Sequence, residues 1–419
     1  MATKRDAAGQ LRLGEVELSS IDVPTPFYCY DVDAIVAEAR SLHDAFDGAP
    51  HVIAYAVKAN TAGTIVRALA AADCGADVVS GAELEVALAC GIPHSKIVYS
   101  GVAKKDDEID LAISCKNEGI CAIQVESVEE IARIEARASA LSVRARASFR
   151  FNPELDAIDT HAHIATGHDE AKFGIAAADV PRAIEAFRNS KNVDLVGLTT
   201  HVGSQFTSTD EYLKGARALF ALARNMCNMH ALAPRFLDVG GGFGIDYGAG
   251  CSVRPADFVR AARVAQKEHG FVDVPLFVEP GRSLVAAHGV VVSSIIQIKV
   301  STARRWLMID AGMNDLIRPA LYQARHRIVD LATEESKTTR PWRVVGPVCE
   351  SSDDFGSHDL PEKIGDRVAI LDAGAYGFTM VSQYNGRTLP AEVFLKDGAV
   401  AHVSGGSSRE AWIRSRLGA

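Results

Sequence analysis

Short apolar runs recur along the first two thirds of the chain, at 51–57, 76–79, 97–99, 122–125, 147–151, 195–200, 236–239 and 276–278. The segments between them, such as 64–72, 83–89 and 128–138, carry apolar residues at i, i+3 and i+4, the spacing of one buried helix face. Strands of this kind alternating with amphipathic helices predict an α/β protein with a parallel sheet. A doubly wound sheet shows the same alternation, but a count of eight favours a (β/α)8 TIM-type barrel.

Beyond Arg282 the texture changes. The runs 290–300, 306–310, 342–348, 367–371, 391–395 and 399–403 are β-rich, largely alternating and separated by Gly, Pro and Asp turns. They predict a second, all-β domain, sandwich- or barrel-like. Residues 27–30, preceded by Pro24 and Pro26, read as a strand that joins this domain before the chain enters the barrel. The expected division is a barrel over 31–284, with 1–30 and 285–419 forming the β domain. No internal repeat or low-complexity segment is visible.

Composition sharpens this picture only in places. Of 419 residues, 48% are hydrophobic and 23% charged, which excludes a disordered, collagenous or coiled-coil chain. A net charge of −9 argues against nucleic acid or an anionic membrane as partner, while leaving room for local basic pockets. The N-terminal segment lacks the apolar core of a secretory signal, and the longest uncharged stretch, 283–298, falls short of the ~20 residues a bilayer span needs. Eight scattered cysteines without a CxxC pair make disulfides and structural zinc poor expectations, and a reducing cytoplasm the expected location.

In a barrel, the residues just past each strand gather on one face. Here they are Lys58 after the first strand, His201 after the sixth, Gly240, Gly241 and Gly242 after the seventh, and Glu279, Pro280, Gly281 and Arg282 after the eighth. A lysine, a glycine loop, a histidine and a carboxylate converging on one face suit an organic cofactor bearing a phosphate. Lys58 at the end of an apolar strand is a candidate for a desolvated amine able to form a Schiff base. The glycines can close backbone N–H groups on a phosphate, with Ser204 as a side-chain donor, although a tight βα turn accounts for them equally well. The glycine run lacks the GxGxxG spacing of a dinucleotide fold. His161, His163 and His168 have spacing that transition metals accept, but no carboxylate or cysteine supports them, so a lid loop is expected there and no metal site.

Seven segments carry a resemblance: YAVKAN, HVGSQ, DVGGGFG, EPGR, RPALY, GPVCESSDDF and AYGFTMVSQYN. Their order and spacing, from Pro26 to about Leu395, resemble diaminopimelate decarboxylase, of the fold-type III, alanine-racemase-like pyridoxal phosphate enzymes. The resemblance implies pyridoxal 5'-phosphate as cofactor, a homodimer with shared active sites, and conversion of meso-2,6-diaminopimelate to L-lysine and CO2, the last step of lysine biosynthesis. It implies Lys58 as the cofactor's lysine, His201 stacked on its ring, and Ser204, Gly240–Gly242, Gly281 and Arg282 around its phosphate. Glu279 would face the ring nitrogen, and Arg318 and Tyr322, with Arg282, would hold substrate. Cys349 and Glu350 would enter from a partner subunit, and Tyr376 would touch cofactor phosphate or substrate. Asp77 and Asn152 are placed at the barrel mouth by position alone. Gln323, where a small residue is expected, is a mild departure.

The chemistry of the residues agrees. Decarboxylation leaves an electron pair that a protonated pyridine ring can accept, and an acid such as Glu279 beside the ring nitrogen keeps that proton in place. Racemases of this fold carry arginine there, which weakens the sink. Two alternatives stand beside this reading. One is a decarboxylase of another basic amino acid, of the ornithine or arginine type. The other is a pyridoxal phosphate-binding protein without turnover, against which Lys58, Glu279 and Cys349 all argue.

Overall fold

The computed structural model describes residues 3–155, 172–251, 253–332 and 338–418. The chain divides into two compact units: Glu38–Ile245 with Ser252–Ser283, and Met1–Ala37 with Asp246–Cys251 and Leu284–Ala419. His161, His163 and His168 lie outside the described residues.

The first unit is a closed barrel of eight parallel strands, His51–Ala56, Gly75–Val78, Ile97–Tyr99, Ala122–Val125, Ala145–Asn152, Val193–Thr199, Phe236–Asp238 and Leu276–Val278. Each pairs with its sequence neighbours, and the pairing of Leu276 with His51 closes the ring. Some of the helices between strands begin where the sequence supplies an acceptor for their free N–H groups. Ser80 accepts from Glu83 N while Glu83 Oε2 accepts from Val79 N at 2.9 Å, and Ser127 and Glu130 repeat the arrangement before Val128–Leu141.

Side chains alternate along a strand, so residues two apart share the barrel interior. At one end, Ala54, Val98, Ala122, Val196, Phe236 and Phe277 pack into an apolar floor. Two residues further along four of those strands stand Ser100, Gln124, Asp238 and Glu279, all buried. The same face of the sheet therefore changes from apolar to polar within one side-chain layer, at the C-terminal ends of the strands.

The second unit is β-rich. Its longest strand, Gly289–Val300, pairs antiparallel with Phe27–Asp31, Arg305–Ile309 and Arg367–Ile370. Phe27–Asp31 also pairs with Ala391–Lys396, which continues into the hairpin partner Ala399–Ser404. Leu11, Leu13, Phe27, Val290, Val292 and Val393 are among the residues of its core. Strands at Asp354–Pro361 and Ile328–Asp330, and helices at Arg318–Tyr322 and Arg409–Leu417, add to the predicted runs. No helix among the described residues is long and apolar enough to cross a membrane.

Candidate active site

The first barrel strand ends at Ala56, and Lys58 sits in the 3-10 turn Val57–Ala59 that follows. Its side chain is 38% exposed, and Nζ lies 2.5 Å from Oδ2 of the fully buried Asp77. The lysine is thus wetter than a purely apolar strand end implies, and it is ion-paired.

From Asp77 a buried chain of hydrogen bonds crosses the barrel. Asp77 Oδ1 accepts from Ser100 Oγ at 2.5 Å, and Ser100 Oγ lies 2.9 Å from Gln124 Oε1. Gln124 Nε2 donates to Asp238 Oδ2 at 2.9 Å and to Glu279 Oε1 at 2.8 Å. Asp238 Oδ1 accepts from Gly240 N at 2.9 Å, which ties the chain to the glycine loop. Burial pushes the Glu279 carboxyl well above its usual range, and the negative charges of Asp238 and Asp77 push it further. Asp238 rises to about 6, again mainly through burial. Of the two neighbouring carboxyls, burial and the other's charge favour a proton on Glu279 most strongly.

The glycine loop is built for close backbone approach. Gly240 and Gly242 have φ of +70° and +87°, which L side chains rarely adopt. A Cβ on Gly241 would stand 1.9 Å from the Glu279 carbonyl. Around this loop, Phe206 N donates to Gly242 O at 2.9 Å, and Arg282 Nη2 donates to Ser204 Oγ at 3.1 Å. Ser204, the three glycines and Arg282 are therefore neighbours. Gly281 packs where a Cβ would meet Ala56 Cβ at 3.0 Å, so the Glu279–Arg282 turn lies against the end of the first strand.

His201 is held by its neighbours in one form. Gly241 N donates to Nδ1 at 3.1 Å, leaving the proton of a neutral ring on Nε2. Burial, then the charges of Arg150 and Lys58, depress its pKa well below the usual value. Arg150 bridges Glu126 at 3.0 Å and the His201 carbonyl at 3.2 Å, and Asn152 Nδ2 donates to Phe173 O at 3.3 Å. Among the described residues no group of three or more His, Cys, Asp or Glu is placed to hold a metal.

The β-rich unit carries the remaining candidates. Arg318, buried, opens the short helix Arg318–Tyr322, while Tyr322 is partly exposed. Gln323 follows in the left-handed region, φ +54°, the helix-ending position that favours glycine, which accounts for the small residue expected there. Cys349 and Glu350 are exposed on the loop between Thr339–Val345 and Asp354–Pro361. Cys349 N donates to Asn385 Oδ1 at 2.8 Å, Tyr384 Oη donates to Glu350 Oε1 at 2.5 Å, and Asp353 pins the loop by accepting from Val348 N at 2.6 Å. Tyr376, partly buried, has φ +54°.

Residues 32–286 match the family described as pyridoxal-dependent decarboxylase, pyridoxal binding domain. The diaminopimelate decarboxylase of Helicobacter pylori is 38% identical over 379 residues, 89% of this chain and 91% of the relative. The chain belongs to the diaminopimelate decarboxylase family. The Pseudomonas aeruginosa member is likewise 38% identical, covering 90% of this chain and 89% of its own. Two solved members of the family were crystallised with L-lysine. The H. pylori enzyme is 36% identical with a TM-score of 0.87, covering 95% of this chain and 98% of its own. The M. jannaschii enzyme is 31% identical with a TM-score of 0.91, covering 99% and 97%.

Several residues of these clusters have no counterpart among the sequence candidates, among them Ser100, Gln124, Asp238 and His326. Gln124 and Ser100 stand two positions beyond floor residues of their own strands, so strand parity was the available signal. His326 accepts from Arg318 Nη1 at 2.8 Å, a contact no local pattern announces.

Proposed function

We propose that this chain decarboxylates meso-2,6-diaminopimelate to L-lysine and CO2 with pyridoxal 5'-phosphate as cofactor. The observation that carries the reading is the buried acid Glu279, joined through Gln124, Ser100 and Asp77 to the amine of Lys58, inside the barrel of a chain belonging to this family. The donor set fits the cofactor: an amine for its aldehyde carbon, an acid for its ring nitrogen, a neutral imidazole for its ring face. Ser204, Gly240, Gly241, Gly242, Gly281 and Arg282 fit its phosphate, because the glycines leave no side chain between backbone and ligand. When bound, pyridoxal phosphate supplies the electron sink that lets the substrate lose CO2.

The chain's own residues do the rest. Glu279 is a buried acid that would stand next to the ring nitrogen position and hold a proton available to it. His201, held neutral, offers a flat face without adding positive charge. Lys58 and Cys349 carry exchangeable protons of the kind needed to replace the departing carboxyl group at carbon.

Arg318 and Tyr322 hold the distal end of the substrate, with Arg282 and Tyr376 as further contacts. A buried guanidinium favours a distal carboxylate and repels a bare distal ammonium, which supports diaminopimelate over ornithine or arginine. Cys349 and Glu350, exposed on the single chain, serve the active site of a partner subunit in a homodimer. The β-rich unit thus carries both substrate and interface residues, and the cytoplasm is the setting. The test is a panel of diamino acids offered to the purified holoenzyme with CO2 and product followed. Preference for meso-diaminopimelate is expected, and preference for ornithine or arginine would overturn the substrate assignment.

A further inference from the structure

The chemistry of the site requires Glu279 to change charge. Before the cofactor's ring nitrogen is protonated, burial and the charges of Asp238 and Asp77 keep a proton on Glu279. With that proton given up to a ring nitrogen, Glu279 and Asp238 would be two carboxylates bridged by one amide, with Asp77 as a third acid further along the same buried row. Two adjacent buried negative charges repel strongly unless donors hold both. A protonated ring nitrogen would face one of them. The other needs a donor from the protein.

Gln124 is placed to supply it. The residue is 1% exposed, and its single amide nitrogen reaches both acids, at 2.9 and 2.8 Å. The amide nitrogen has two N–H groups, one for each carboxyl. Its carbonyl oxygen stands 2.9 Å from Ser100 Oγ, on the side away from the two acids. Asp238 is anchored independently by Gly240 N, so it cannot swing away to relieve the repulsion.

We propose that Gln124 is a positioning residue that holds Glu279 and Asp238 as a donor-bridged pair, so that Glu279 can pass its proton to the cofactor ring nitrogen and remain ionised beside Asp238. The inference rests on the pyridoxal phosphate reading above and goes further by assigning the residue that allows Glu279 to act. Gln124 touches neither cofactor nor substrate in this account; it works through Glu279.

The test uses holoenzyme loaded with pyridoxal phosphate labelled with nitrogen-15 in the ring, whose chemical shift reports whether that nitrogen carries a proton. Gln124→Met keeps the length of the side chain and removes both donors. The ring nitrogen, protonated in wild type, is expected to become predominantly unprotonated at the same pH, with kcat falling on the order of 10²-fold and KM little changed. Asp238→Asn in that background removes one negative charge and offers an amide N–H to Glu279, while its Oδ1 can still accept from Gly240 N. The double variant should therefore regain the protonated ring and part of the lost kcat. A purely structural role for Gln124 predicts no such rescue. Thermal unfolding and cofactor content of each variant separate misfolding from the effect, and Gln124→Leu serves if the methionine variant fails to fold. A ring nitrogen that stays protonated in a folded, loaded Gln124 variant, with kcat unchanged, would overturn the inference. Wild-type protein that takes up no pyridoxal phosphate would instead overturn the reading beneath it.

Discussion

Arg318 Nη1 stands 2.8 Å from His326 Nε2, and the other ring nitrogen, Nδ1, lies 2.9 Å from the carbonyl oxygen of Leu371. An arginine can only donate, so Nε2 accepts and Nδ1–H donates to the backbone, which fixes one neutral tautomer. The Tyr247 ring lies against the same guanidinium, 4.9 Å from centroid to Cζ. Arg318 is therefore held on two sides by the chain itself.

This arrangement gives the first prediction. His326→Leu removes a hydrogen bond to a charged group, about 1.5–3 kcal/mol. It should lower kcat/KM for diaminopimelate by roughly 10–100-fold, mostly through KM, with His326→Gln partly restoring it. Arg318→Ala should cost more, on the order of 2–5 kcal/mol, and should lose much of the discrimination against substrates lacking the distal carboxylate. Steady-state kinetics with both substrates decides: equal losses for the two would mean that Arg318 does not read the distal group.

A second prediction concerns stability and pH. Glu392 accepts from Tyr30 Oη at 2.9 Å, and burial raises its pKa from 4.5 to about 7. The folded state then holds a proton that the unfolded chain gives up above about pH 4.5, so this group's contribution is fully present below that pH. It is lost progressively as pH rises through about 7. Glu392→Gln removes the titration and keeps an acceptor for Tyr30. The variant should melt near wild type at pH 4.5 and above it at pH 8, by an amount on the order of 3 kcal/mol. A gap that does not change with pH would show that Glu392 does not titrate in this range.

The eight barrel strands and the residues at their C-terminal ends were readable because both obey local rules: apolar runs of strand length, and chemistry just past them. Lys58, His201, Gly240 and Glu279 needed no partner to be noticed. Gln124 and Ser100 did, because a polar residue inside AIQV or after IVY acquires meaning only when the barrel closes and brings Asp77 and Glu279 to it. His326 is similar, a lone histidine in the connection before Ile328–Asp330 until Arg318 folds onto it. The strand Asp354–Pro361 escaped notice because Gly356, Ser357, His358 and Asp359 break its apolar alternation, while its antiparallel partner Thr339–Val345 holds it in place. The N-terminal strands Thr3–Arg5, Leu11–Leu13 and Val16–Glu17 are too short to show a period.

Composite active sites make a third prediction. If Cys349 and Glu350 serve the partner's barrel, Lys58→Ala and Cys349→Ala homodimers each lack one function at every site. Mixed under conditions of subunit exchange, half of the dimers are hybrids, each with one site that keeps both residues. Activity should return to about one quarter of wild type. No recovery despite proven exchange would place Cys349 in its own chain's site, or outside the chemistry.

Lys58→Ala alone supplies a fourth. Borohydride treatment of wild type should attach the cofactor covalently at Lys58, and the variant should show no attachment while its phosphate contacts remain. Its rate loss should exceed the roughly 10²–10⁴-fold of a single acid–base group if, as proposed, the amine both carries the cofactor and moves protons.

The most direct measurement counts CO2 and L-lysine formed from meso-2,6-diaminopimelate by the holoenzyme, by the same protein stripped of pyridoxal phosphate, and after the cofactor is returned. Equimolar CO2 and L-lysine, abolished by stripping and restored by reconstitution, is the predicted result. CO2 release that survives complete removal of the cofactor, or a fully loaded enzyme that forms no lysine, would contradict the account.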